Sequence, residues 1–266
     1  DGTIENCSIL EGENSVTSSG DYIGGIAGEN NGRIINSHYL GELSFSGDFN
    51  GGIAGANGKN GYIMASSFQM NDDDYIESSG DYDGGIAGYN EGNIVACYVP
   101  KASFYDTKVC SGGIAGASND GRIYACYFSG DISSNEDYIG GITGANGGIL
   151  SGCGFIGSIE GDEYVGSIAG SNTPTIEIDR DEIEMTGSVE DSVSFTRPDQ
   201  WGDTADAVGE GDSSGVIVIA EEENFWGEAL KVLNSAIDDW NSAYPENPCR
   251  YRYETSGANP PKLIEA

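Results

Sequence analysis

The chain has 266 residues, of which 44 are acidic and 11 are Lys or Arg, for a formal net charge of -33. A surface this negative repels nucleic acid and anionic lipid, so neither is an expected partner. Hydrophobic content of 38%, with 10% aromatic, is enough for a continuous core and argues against disorder. No apolar run reaches the roughly 18 residues that would span a bilayer.

The opening phrase "DGTIENCSI" reads as the second half of a repeat. The expectation is a longer parent protein, with any targeting segment or lipid anchor upstream. The full phrase then arrives as "DYIGGIAGENNGRI". Its Gly-Gly-Ile-Ala-Gly unit starts at Gly24, Gly51, Gly84 and Gly112, and in altered form at Gly140 and Gly166. A period near 28 residues indicates a solenoid with one coil per repeat.

Within each repeat the positions have a fixed order. Two residues before the first glycine stands Tyr22, Phe49, Tyr82, Cys110, Tyr138 or Tyr164; two after it stands Ile26, Ile53, Ile86, Ile114, Ile142 or Ile168. An asparagine position follows at Asn30, Asn57, Asn90, Ser118, Asn146 and Asn172. Next come Ile34, Ile63, Ile94 and Ile123, with Ile149 read as a shortened version. Then come Cys7, Ser37, Ser66, Cys97, Cys126 and Cys153, and after them Ile9, Tyr39, Phe68, Val99, Phe128 and Phe155. A last apolar position falls at Leu43, Ile132 and Ile159. Short apolar pulses between Gly and Asn disfavour helix and favour short strands with sharp corners, which Gly and Asn tolerate. Stacked like on like at about 4.8 Å, six coils make a parallel β-solenoid roughly 30 Å long over residues 1–172.

The phrase GGIAGxNxGxIxxCY resembles the GLUG repeat of bacterial surface proteins, which also occurs in some IgA1-specific metallopeptidases. The resemblance covers residues 1–172. It implies a β-solenoid in a secreted or surface-exposed bacterial protein. The peptidase chemistry of those proteins needs a His-Glu-x-x-His zinc motif, and this chain has one histidine.

Repeated polar residues have structural readings first. The asparagines predict a ladder of side-chain amides between coils. The Cys and Ser of one register want a small inward corner residue. A Cys97–Cys126 disulfide is sterically open, but side chains stacked in parallel rarely reach the required torsion, so free buried thiols are expected. Asp21, Asp48, Asp81, Asp137 and Glu163 share a slot, and like charges about 5 Å apart need water, backbone N–H groups or calcium. The insertion "NDDDYIESSGDYDGG" gathers Asp72, Asp73, Asp74, Asp81 and Asp83, the candidate calcium ligands, although its spacing fits no EF-hand and a solvated face is favoured. No other cofactor is expected. His38 reads as a variant of the Tyr98 and Tyr127 slot. Arg33 and Arg122 read as outward, solubilising groups. The tyrosines before the Gly-Gly pair predict an aromatic ladder that could hold sugars.

Residues 173–266 lose the repeat. Ile176, Ile178, Ile183 and Met185 suggest irregular strands, "WGDTADAVGEGDSSG" a loop, and "VIVIA" at 216–220 a buried strand. Trp226, Leu230, Leu233, Ile237 and Trp240 form one stripe of a helix at about 225–243, with Asn224 as N-cap and Pro245 beyond its end. This helix, with "CRYRYE" beside it, is expected to plug the C-terminal end of the solenoid, since open strand edges invite pairing. The functional expectation is a non-enzymatic, monomeric scaffold that is adhesin-like and contacts host glycan or protein. The alternatives are an accessory region of a metallopeptidase or a β-helix polysaccharide-degrading enzyme with paired carboxylates.

Overall fold

The computed structural model describes residues 2–9, 14–71, 75–178, 181–197, 205–254 and 260–265. Its strands pair in parallel, coil on coil, into two long sheets that wrap one apolar interior. Registers match the repeat: Ile34 lies over Ile63, Ile63 over Ile94 and Ile94 over Ile123. Leu150, not Ile149, continues that row, while Ile149 pairs with Arg122. Only an inward apolar side chain fits the row, and Leu150 also restores the spacing of three to Cys153.

Stacking runs past residue 172. Ser188–Glu190 pairs with the sixth coil, Ser192–Thr196 continues the next sheet, and Asp206–Glu210 lies on Val165–Ser171. Val189 and Val208 are buried in line with the inward rows at Leu150 and Ala169, Ser194 follows Phe155, and Val193 follows Gly154 on the outer side beneath the helix. There are thus seven coils, and the "loop" after Trp201 contains a strand. A coil needs apolar side chains at the right spacing, and it can form without the glycine phrase.

Two rows of left-handed residues turn each coil. Asn6, Asn36, Ala65, Ala96, Ala125, Gly152 and Asp191 form one corner; Tyr22, Phe49, Tyr82, Cys110, Tyr138 and Tyr164 form the other. Such a conformation costs about 1–2 kcal/mol for an L-residue, and Gly or Asn was the expected occupant. Here stacking pays instead, with Phe49 lying 4.8 Å from Tyr22 and 4.9 Å from Tyr82, nearly parallel to both.

The paired glycines serve close approach. A Cβ on Gly140 would sit 1.9 Å from the Thr143 carbonyl, and one on Gly113 would sit 2.2 Å from the Phe128 ring. The second glycine therefore opens the space into which the aromatic row packs.

The helix spans Glu222–Ala243, with Glu221 at the N-cap position and no side-chain cap bond. It does not plug an end. Phe225, Ala229, Leu233, Ile237 and Trp240 pack along the side of the coils, against Val193, Tyr127, Ala96 and Met64. The Ala-lined corner presents a flat apolar strip there, which the helix covers lengthwise. The hairpin of Tyr251–Glu254 and Lys262–Glu265 extends the cover. A second hairpin, Thr175–Ile178 with Asp181–Glu184, lies over the aromatic corner. Val216–Val218 is a strand, yet Ile217 and Val218 are exposed because its outer side meets nothing in the described residues.

Candidate functional site: ladders inside, one open face outside

The polar rows are mostly used up in holding coils together. Asn30 donates to the Asn57 side-chain oxygen at 2.8 Å, Asn57 to Asn90 at 2.9 Å, and Asn146 to Asn172 at 2.8 Å. In the Cys/Ser row each side chain plays two parts. Ser66 donates to the Met64 carbonyl at 3.0 Å and accepts the Ser37 N–H at 3.2 Å. Cys126 does the same with the Tyr124 carbonyl at 3.2 Å and the Cys97 N–H at 3.4 Å. Ser and Cys are interchangeable here because either can donate to its own coil and accept from the preceding one. All six cysteines are free, and Cys7 alone is exposed. Burial pushes the Cys153 thiol up to about 12 and the Cys126 thiol well above its ordinary value, which makes them poor nucleophiles.

The acidic row is answered by backbone. Asp48 N–H donates to the Asp21 carboxylate at 3.0 Å, Asp81 N–H to Asp48 at 2.9 Å, and Glu163 N–H to Asp137 at 3.0 Å. Of the calcium candidates, Asp72, Asp73 and Asp74 lie outside the described residues. Asp81 and Asp83 are separated by the left-handed Tyr82 corner. Asp81 is half-buried at the corner, with its carboxyl raised by burial and by Asp48, whereas Asp83 is enclosed in the interior. Among the described residues no three His, Cys, Asp or Glu side chains come together as a metal-binding group.

His38 sits in the Ser67–Tyr98 register, with its ring nitrogens 2.8 Å from the Ser67 hydroxyl and 3.1 Å from the Asn36 side-chain oxygen. Burial lowers its pKa. Arg33 and Arg122 are not simple solubilising groups. Arg33 lies over the Tyr62 ring and donates to Asn247 at 2.5 Å, and Arg122 lies over Tyr244, so both clamp the C-terminal segment. With Arg250, Arg33 also lines a cleft of about 290 Å³ floored by Ile35 and Met64.

Three outer faces result. The C-terminal helix covers one. The hairpin covers the middle of the aromatic ladder, where Tyr82 donates to the Glu177 carbonyl and Tyr138 to Thr175 at 3.4 Å. Among the described residues nothing covers the third face. It is the outward side of Ser15–Ser18, Glu42–Phe45, Ile76–Ser78, the second half of Tyr98–Thr107, Tyr127–Ser134 and Ile159–Glu160. No family model matches this chain, and no curated protein or solved structure is similar to it. The faces must therefore be judged on their own chemistry.

On the open face Tyr105 is 61% exposed and Tyr75 51%, with ring centroids 6.2 Å apart in an edge contact. Around them lie Ser44, Ser133, Asp131 and Glu160 in register. A pocket of about 170 Å³ opens beside them, lined by Ser44, Phe45, Ser78, Ser79, Asp106 and Lys108. Sequence reading missed this pair. It lies outside the glycine phrase, and exposure of a tyrosine depends on which face remains uncovered. The available signal was parity: Tyr105 alternates with the inward Ala102 and Phe104.

Proposed function

We propose that this protein is a non-catalytic display scaffold that holds glycan on its open face, at Tyr75 and Tyr105. One observation carries the reading: two large aromatic rings stay exposed together, while most other aromatic side chains are stacked, buried or covered. Aromatic faces offer sugar C–H groups an apolar platform, and the neighbouring hydroxyls and carboxylates suit sugar hydroxyls. The GLUG-like phrase and the strong acidity support a secreted or surface-exposed bacterial setting, where host glycan is the natural partner.

The test is a glycan array followed by calorimetry on the best ligand, with Tyr75→Ala and Tyr105→Ala in parallel. Binding that either variant weakens at least tenfold supports the site. Silence across the array, or binding indifferent to both substitutions, removes it. A parallel screen for new reducing ends on polysaccharides separates binding from cleavage.

A further inference from the structure

The row just inside the aromatic corner reads Ile23, Asn50, Asp83, Ser111, Ile139, Val165 in successive coils. Three polar residues interrupt an apolar row, and all three are buried to 1% exposure or less. Two of them make the same bond. Asn50 donates from Nδ2 to the Gly47 carbonyl at 2.6 Å, and Ser111 donates from Oγ to the Lys108 carbonyl at 3.0 Å. In each case the acceptor lies three residues back, at the start of the turn.

Asp83 stands between them in the same slot, and its counterpart acceptor is the Gly80 carbonyl. An ionised carboxylate has no proton to give. Asp83 Oδ1 accepts the Asn50 amide at 3.0 Å, while Oδ2 is buried with no hydrogen-bond partner. Among the described residues no cation is paired with it. The facing charged groups are Asp48 and Asp81, which repel it. Lys108 is turned to Asp106 at 3.9 Å. Cys110 beside it is buried, and burial keeps that thiol neutral.

We infer that Asp83 is a proton-binding site: the folded solenoid carries it as the neutral acid, donating from Oδ2 to the Gly80 carbonyl, and its ionisation loosens this corner of the third coil. Buried carboxyls without a counter-charge give up ionisation before they accept an unpaired charge. Burial first raises the Asp83 carboxyl to about 7, with Asp81 and Asp48 adding to the rise and the Asn50 amide opposing it. The 170 Å³ pocket reaches Ser78, whose hydroxyl is 3.5 Å from the Asn50 amide, and gives solvent a short path for proton exchange.

A carboxyl raised on folding contributes stability that is complete below about pH 4 and is lost as pH rises through about 7. The experiment is chemical unfolding from pH 4 to 9 of the wild type and Asp83→Asn, which mimics the neutral acid and keeps a donor for Gly80. The wild-type unfolding constant should rise relative to the variant's by up to roughly a thousandfold across that range. Parallel curves, or a variant weakened equally at pH 5 and pH 8, would overturn the inference. Infrared difference spectra of the wild type give a second reading that needs no variant to fold. A protonated-carboxyl band at pH 6 that vanishes by pH 8.5 supports the site, and its absence at pH 6 refutes it.

Discussion

The seven coils and the C-terminal segment laid beside them are held by different means. In the coils every rung repeats its neighbour's backbone bonds, core side chain and polar ladder, so stability is shared between adjacent rungs. The segment lies on one strip through side chains, with a few directed anchors. Tyr253 donates to the Ala125 carbonyl at 2.9 Å, Tyr127 to the Pro261 carbonyl at 3.0 Å, and Arg33 to the Asn247 side-chain oxygen at 2.5 Å. Repetition makes one cooperative rod, whereas a lateral cover can lift without unwinding what it covers.

The largest effect should come from breaking the rod. Phe128→Ala removes a fully buried ring from the space opened by Gly113 and should cost about 3–5 kcal/mol, lowering the coil and helix transitions together. Separate transitions would mean that the coils are less cooperative than their ladders suggest. Trp240→Ala removes a ring of similar burial, with a local loss of about 3–5 kcal/mol. Hydrogen exchange should quicken in Glu222–Ala243 and remain slow in Ala115–Tyr124. If both regions quicken, the cover is part of the rod.

Thiol chemistry sharpens the same contrast. In the native protein a maleimide should modify Cys7 and spare the buried Cys97, Cys110, Cys126, Cys153 and Cys249. In Trp240→Ala, Cys249 should become the second to react, since it belongs to the lifted segment and is buried only while that segment is docked. Mass spectrometry of the labelled peptides reads the order. Asn57→Ala cuts two ladder bonds and should cost about 1–3 kcal/mol. The smallest effect belongs to Tyr105→Ala, within about 0.5 kcal/mol of the wild type in urea unfolding, because its ring is mostly in solvent.

Much of the solenoid was legible in the residues. Ile34 to Ile123, the asparagine ladder and the Ser/Cys register each repeat at fixed spacing, and stacking identical coils leaves those side chains one environment. The seventh coil was not legible, since Val189, Val193 and Val208 lack the phrase and are recognised only by the coil beneath them. The left-handed corners at Tyr22 and Ala65 were hidden for a related reason: local propensity favours glycine there, and contacts between coils override it. The open tyrosine pair and the role of Asp83 were equally invisible. A loop rich in aspartate looks uniform in sequence, and only the turn at Tyr82 sends Asp81 outward and Asp83 inward.

The sequence by itself determined the coil: period, inward rows and the Gly-Gly gap are set by contacts within one repeat and its copy, which recur along the chain. Tertiary structure alone decided which outer face the helix covers, which the hairpin covers and which stays open. Those choices join residues far apart in the chain, such as Arg33 with Asn247, and no local spacing records them.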